Sequence, residues 1–193
     1  MNLTALCVVV FVCSRQRTPV CSDLMAVYRD RVPRWRSDSW QTFSVDSCGN
    51  SSYGDGIVPL NFPGPNGTCV WGCVNTRERA ALLFASRNVP SRCTAVAKVT
   101  GKYFAPSFEK VLKNVTDDAQ VVLQQDRYRS ELFLMTPARF REYPTFRLAR
   151  RMNNEFRLDM LARSLPPSQV QRLPRLEILG RTRRSDGRVL RWL

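Results

Sequence analysis

The chain opens on an apolar run, Leu3, Ala5, Leu6, Cys7, Val8, Val9, Val10, Phe11 and Val12, and its assignment decides which residues are left to build the fold. The run has the length of a signal-peptide h-region and is too short to cross a bilayer. It is expected to be a signal peptide over residues 1–14, cleaved after Ser14; the alternative is a buried N-terminal strand. Residues 15–176 then form one domain with a sizeable core, and the basic residues 177–193 a flexible tail. No later window holds 18 uninterrupted apolar residues, so no transmembrane segment is expected.

Two features agree with export through the secretory pathway. Asn50-Ser51-Ser52, Asn66-Gly67-Thr68 and Asn114-Val115-Thr116 are N-glycosylation sequons in turn-rich or helix-end settings, where an acceptor asparagine is exposed. Cys21, Cys48, Cys69, Cys73 and Cys93 remain after Ser14, and in an oxidising compartment they are expected to pair. Cys69, Cys73 and Cys93 lie close together in sequence and are the intrachain candidates. Their number with Cys21 and Cys48 is odd, which flags a bond to another chain. Cys48 is the first choice and Cys21 the second, with a Cys48–Cys21 bridge as the alternative.

The charge balance is +14, from thirty Lys plus Arg against sixteen Asp plus Glu. From Arg141 onward thirteen Arg face five acids, so +8 sits in the last part of the chain. Such a field attracts nucleic acid, anionic polysaccharide or an acidic protein face. Zinc-finger spacing and an aromatic RNA-binding box are both lacking. Arg181-Thr182-Arg183-Arg184 before Ser185 also has the form of a convertase site.

Element by element, the pattern predicts an α+β domain. Ser22–Cys48 reads as folded but irregular, anchored by Trp35, Trp40 and Phe43. Gly49–Gly67 is turn-rich, with an apolar island at Ile57, Val58 and Leu60. Arg77–Phe84 suits a helix ending before Pro90. Ala95, Ala97 and Val99 alternate with Lys98 and Thr100 as a half-buried strand. A short helix begins near Ser107. Val121–Leu123 and Leu132–Met135 read as a strand pair. The longest helix is expected after Pro144, with Ala149, Met152, Phe156 and Met160 as its buried stripe, ending at Pro166-Pro167.

The chain has no histidine. That excludes Ser-His-Asp and Cys-His nucleophile systems, His-ligated zinc and imidazole acid–base chemistry. Cys69 and Cys73 lack the two-residue spacing of zinc knuckles, and neither a P-loop nor GxGxxG occurs. No catalytic, cofactor or metal residue is therefore nominated, and the chain is read as a protein that is not an enzyme.

The order of several short features resembles glycoprotein L of the herpesviruses, in its betaherpesvirus, cytomegalovirus-like form. These are Pro33-Arg34-Trp35 leading to Cys48, a Gly/Ser-rich stretch, Thr68-Cys69-Val70 with Cys73, Ala105-Pro106-Ser107, Leu158-Asp159 and Leu165-Pro166-Pro167. The resemblance implies a small disulfide-bonded domain without a membrane anchor, acting as a non-catalytic subunit of a viral envelope entry and fusion complex. Its partner would be membrane-anchored glycoprotein H, with Cys21 at the position of the link to it. A third accessory subunit would be bound through Cys48, on the virion envelope and host cell surface. The competing expectation is a free secreted basic effector, cytokine-like or a decoy, that binds anionic polysaccharide or a host receptor.

Overall fold

A computed structural model describes residues 1–12, 20–47, 52–63, 73–124, 131–146, 154–174, 176–183 and 189–192. Strand β1 is Leu6–Val12, helix α1 Val20–Arg31, β2 Gln41–Asp46, β3 Ile57–Pro59, α2 Cys73–Asn88 and β4 Ala95–Thr100. They are followed by α3 Phe108–Leu112, β5 Val121–Gln124, β6 Leu132–Met135, α4 Pro137–Glu142, α5 Asn154–Arg163, β7 Val170–Leu173, β8 Glu177–Arg183 and β9 Val189–Trp192. The first seven strands form one sheet in the order β3-β2-β1-β4-β6-β5-β7. Parallel pairs join β1 to β2 and β4, β2 to β3 and β5 to β7, while β6 runs antiparallel between β4 and β5. This is a mostly parallel α/β sheet, which corrects the expected small α+β disulfide domain.

The run expected as a leader is β1, bonded on both edges and buried at all seven residues. A strand inside a parallel sheet is covered on both faces and therefore reads as a continuous apolar run. Val8, Val10 and Val12 point to one side with Ala95, Ala97 and Val99, against Tyr28 and Val32 of the α1 segment and Phe108 and Val111 of α3. Cys7, Val9 and Phe11 point to the other, against Ala81, Leu82 and Ala85 of α2, Phe140 of α4 and Leu158 and Leu161 of α5. The molecule thus has two helical layers and two cores, one on each face of the sheet.

Other expectations shift in instructive ways. The stretch read as irregular holds α1, a 3₁₀ turn at Pro33–Trp35 and β2. β5 and β6 pair antiparallel, Val121 opposite Met135. Within the residues expected as a tail, β8 and β9 pair antiparallel, and Leu176 and Ile178 belong to the α1-side core. The long C-terminal helix is corrected to α5, ten residues, and its buried face is Leu158, Leu161 and Ala162. Ala149 and Met152 of the expected stripe lie outside the described residues, and Phe156 is 46% exposed. Leu161→Ala is accordingly expected to lower stability by about 2–5 kcal/mol, and Phe156→Ala by about 1 kcal/mol or less, read as urea-unfolding midpoints of the two variants.

Candidate active site

The sheet order places β2 and β3 on one side of β1 and β4 on the other. Where the winding of an open α/β sheet reverses, the connections leave the carboxyl ends in opposite directions and open a crevice there, the usual ligand site of such sheets. In this chain the reversal falls between β1 and β4. Its lip is held by main-chain bonds: the Gly101 N–H donates to the Phe11 carbonyl at 2.8 Å, and the Ser47 N–H to the Val12 carbonyl at 2.9 Å. Ser47 Oγ also donates to Val12, at 3.0 Å. Gly101 allows the strands to close, because a Cβ there would stand 2.5 Å from Val12 Cγ1 and 3.1 Å from Val32 Cγ2. The segment after it is fixed by Trp35, whose indole Nε1 donates to the Tyr103 carbonyl at 2.8 Å and whose ring meets Phe104 and Phe108 edge-on at 5.3 and 5.2 Å.

On the α2 side of this edge the residues are charged. Lys98, on the same face of β4 as Val96, is 1% exposed. Its ammonium donates to Glu78 Oε1 and Thr100 Oγ1, each at 3.2 Å, and lies 5.6 Å from the centre of the Phe11 ring. A buried cation needs such compensation, and here it ties the first turns of α2 to the carboxyl end of β4. Because α2 leads into β4 and runs back along it, Arg77, Glu78 and Arg79 stand at the same edge. Glu131, just before β6, bonds through its carbonyl to the Thr100 N–H at 2.8 Å, and its buried Oε2 has no hydrogen-bond partner.

A third group comes from α5 and the turn before it. Tyr143 packs edge-on against Phe133 at 5.2 Å, and its hydroxyl donates to the Asn154 carbonyl at 3.0 Å. Burial, and then Glu78 and Glu155, push the phenol well above the ordinary tyrosine range, with Arg157 opposing, so it stays a neutral donor. Arg79 Nε donates to the Pro144 carbonyl at 3.3 Å. Arg157 is held below the usual arginine range by burial first and by Arg79 second, with Tyr143 acting the other way. Among the described residues no cluster of three or more His, Cys, Asp or Glu could hold a metal ion.

The residues singled out from sequence fall elsewhere. Cys48, Cys69, Asn50 and Asn66 lie outside the described residues. Cys21 falls in α1 and Cys73 opens α2. Cys93 is bonded to Cys7, at the opposite end of the strands from the site. Asn114 is exposed in the turn after α3. Lys98, Gly101, Tyr143 and Arg157 were not nominated. A lysine inside an apolar strand, followed three residues later by glycine at the strand's end, was the available signal.

The fold is therefore that of a doubly wound, mostly parallel α/β protein. No family model matches the sequence, and no curated protein matches it. Among solved structures, a protein described as a nucleotide-diphospho-sugar transferase from Desulfovibrio desulfuricans is similar, with a TM-score of 0.51 and 12% identity, over 88% of this chain and 79% of that one. So is 4-diphosphocytidyl-2C-methyl-D-erythritol synthase from Anaerococcus prevotii, with a TM-score of 0.53 and 9% identity, over 97% and 90%. These likenesses are of fold. They overturn the resemblance to glycoprotein L and, with it, the non-catalytic viral envelope and fusion subunit that it implied.

Proposed function

We propose that the chain is a transferase whose substrate carries a nucleoside diphosphate, as a nucleotide sugar or within a nucleoside triphosphate, bound outside the carboxyl ends of β1 and β4. The observation that carries this reading is the reversal of winding at β1 and β4, with Gly101 permitting close approach of the two strands and Lys98 fastening α2 above them. In a glycosyl transfer an acceptor oxygen bonds to the anomeric carbon as the nucleoside diphosphate departs; in a nucleotidyl transfer it bonds to the α-phosphorus as diphosphate departs. Both develop negative charge on phosphate oxygens, which fixed cations stabilise. Arg77, Arg79 and Arg157 supply that charge at this edge, and the net +14 draws polyanions toward it. Lys98 is already saturated and acts by position. The Cys7–Cys93 bond and the exposed Asn114 sequon support an oxidising, secretory-type compartment for the folded chain.

Calorimetric titration of the full chain with UDP-glucose, GDP-mannose, CTP and the bare nucleosides, with and without a divalent cation, tests the reading. At least one diphosphate-bearing ligand is expected to bind at micromolar concentration, at least tenfold more tightly than its nucleoside. Lys98→Met, which frees Glu78 and unfastens α2, is expected to weaken that binding tenfold or more. A folded chain that binds none of these ligands overturns the proposal.

A further inference from the structure

Two donor side chains on the first turn of α5 have no acceptor. Arg157 is 1% exposed, and its Nε and Nη1 have no hydrogen-bond partner; Asn154 is 4% exposed, and its Nδ2 has none. Three residues apart on one helix, the two side chains share a face. A buried guanidinium without a counter-charge is among the costliest arrangements a fold can hold, and buried donors left open mark the place of a missing acceptor. Among the described residues none supplies one. Tyr143 spends its hydroxyl on the Asn154 carbonyl at 3.0 Å, Glu78 is paired with Lys98 at 3.2 Å, and the neighbouring charge that bears on Arg157 besides Tyr143 is another cation, Arg79.

We propose that Arg157 and Asn154, with Arg79 beside them, form an anion subsite of the active site that takes a phosphoryl or carboxylate group of a substrate. This rests on the transferase reading and names a ligand group for the same edge. The open Nε–H and Nη1 lie on different edges of the guanidinium, so each offers an anionic group a charge-assisted hydrogen bond rather than both forming one fork, and Asn154 Nδ2 offers a third donor. The anion has two possible sources: the diphosphate of the nucleotide, or an acidic group on the acceptor.

The test uses the full chain, with inorganic phosphate as the first probe and the tightest nucleotide of the panel as the second. Phosphate is expected to bind the parent saturably, and Arg157→Met to weaken it at least tenfold. If the nucleotide's diphosphate is the source, Arg157→Met also weakens the nucleotide tenfold while leaving its nucleoside unchanged. If the acceptor is the source, nucleotide affinity is unchanged, and phosphate still binds the nucleotide-saturated protein in an Arg157-dependent way. Phosphate binding that is absent from the parent, or equal in parent and variant, overturns the subsite. Should Arg157→Met fail to fold, Arg157→Lys and Asn154→Ala decide. Each is expected to lose phosphate affinity severalfold with an unchanged melting temperature, and parental affinity in both overturns the proposal. Arg157-dependent phosphate binding without any nucleotide binding would instead refute the nucleotide reading and leave the anion site standing.

Discussion

A chain that begins at Arg15 is expected not to fold. Removing residues 1–14 removes β1, which lies between β2 and β4 and is paired with both, Val9 with Phe43 on one edge and with Lys98 on the other. The sheet would be left as two pieces with unpaired inner edges, and both cores would lose their central row. Leu6, Val8, Val9, Val10, Phe11 and Val12 are all buried, and at 1.5–3 kcal/mol for each large apolar side chain their burial contributes roughly 10–20 kcal/mol, an upper estimate because an unfolded chain is already partly compact. A domain's net stability is about 5–15 kcal/mol, so the loss exceeds what the remaining residues can offset. Circular dichroism melting of residues 15–193 beside residues 1–193 measures this. A cooperative transition in the shorter chain would show that the fold does not depend on β1, and that the leader reading of residues 1–14 can stand.

The same strand explains why the fold was hard to read in the sequence. A signal h-region and a strand covered on both faces have one local signature, an uninterrupted apolar run, and what separates them is the presence of β2 and β4, which lie about 30 and 90 positions downstream in the register Val9 to Phe43 and Val9 to Lys98. Local pairs were legible: β5 and β6 are joined by a short connection, and each is a compact apolar run. Helix α2 was legible from its apolar spacing before Pro90, whereas α5 was not. Sequence spacing joined Phe156 and Met160 into a stripe, but the packing uses Leu158, Leu161 and Ala162. Two of the short strings that suggested glycoprotein L serve packing here. Trp35 is a fully buried anchor for the loop after β4, and Ala105-Pro106-Ser107 leads into α3.

The candidate site was legible in one respect, the surplus of positive charge. Its residues were not, because nothing local distinguishes Arg157 from the other arginines of a C-terminal region that holds thirteen of them after residue 140. Arg157 stands out only once α5 is packed on the sheet and its Nε and Nη1 are found without a partner. Lys98 was assigned to a solvated strand face because strands of an antiparallel domain alternate between core and water. In this mostly parallel sheet both faces of β4 are covered, so the same lysine becomes a buried cation that must be paired.

Reduction of the Cys7–Cys93 bond is expected to lower stability by about 4–5 kcal/mol, the chain-entropy value for a closed loop of this size; the two cysteines are 86 positions apart. Both are buried among the α2-side core residues, and the bond fastens the amino end of β1 to the residue that leads into β4. Two hydrogen bonds repeat the connection: the Thr94 N–H donates to the Ala5 carbonyl at 2.9 Å, and the Ala5 N–H to Thr94 Oγ1 at 3.0 Å. These restraints sit at the amino ends of the strands, away from Lys98, Gly101 and Arg157. The Cys7→Ser, Cys93→Ser double variant should therefore unfold at a much lower urea concentration, yet bind nucleotide and phosphate like the parent wherever it is folded. The parent should move to the same midpoint when reductant is added, and the double variant should not respond to it. The loop-closure argument gives the effect its size, since a bridge among the downstream cysteines, such as Cys69 to Cys93, would close a far shorter loop and restrain the unfolded chain less. Peptide mapping without reduction identifies the bond directly. Recovery of Cys7 and Cys93 as free thiols, with a midpoint indifferent to reductant, would remove the bridge and with it the argument for an oxidising compartment.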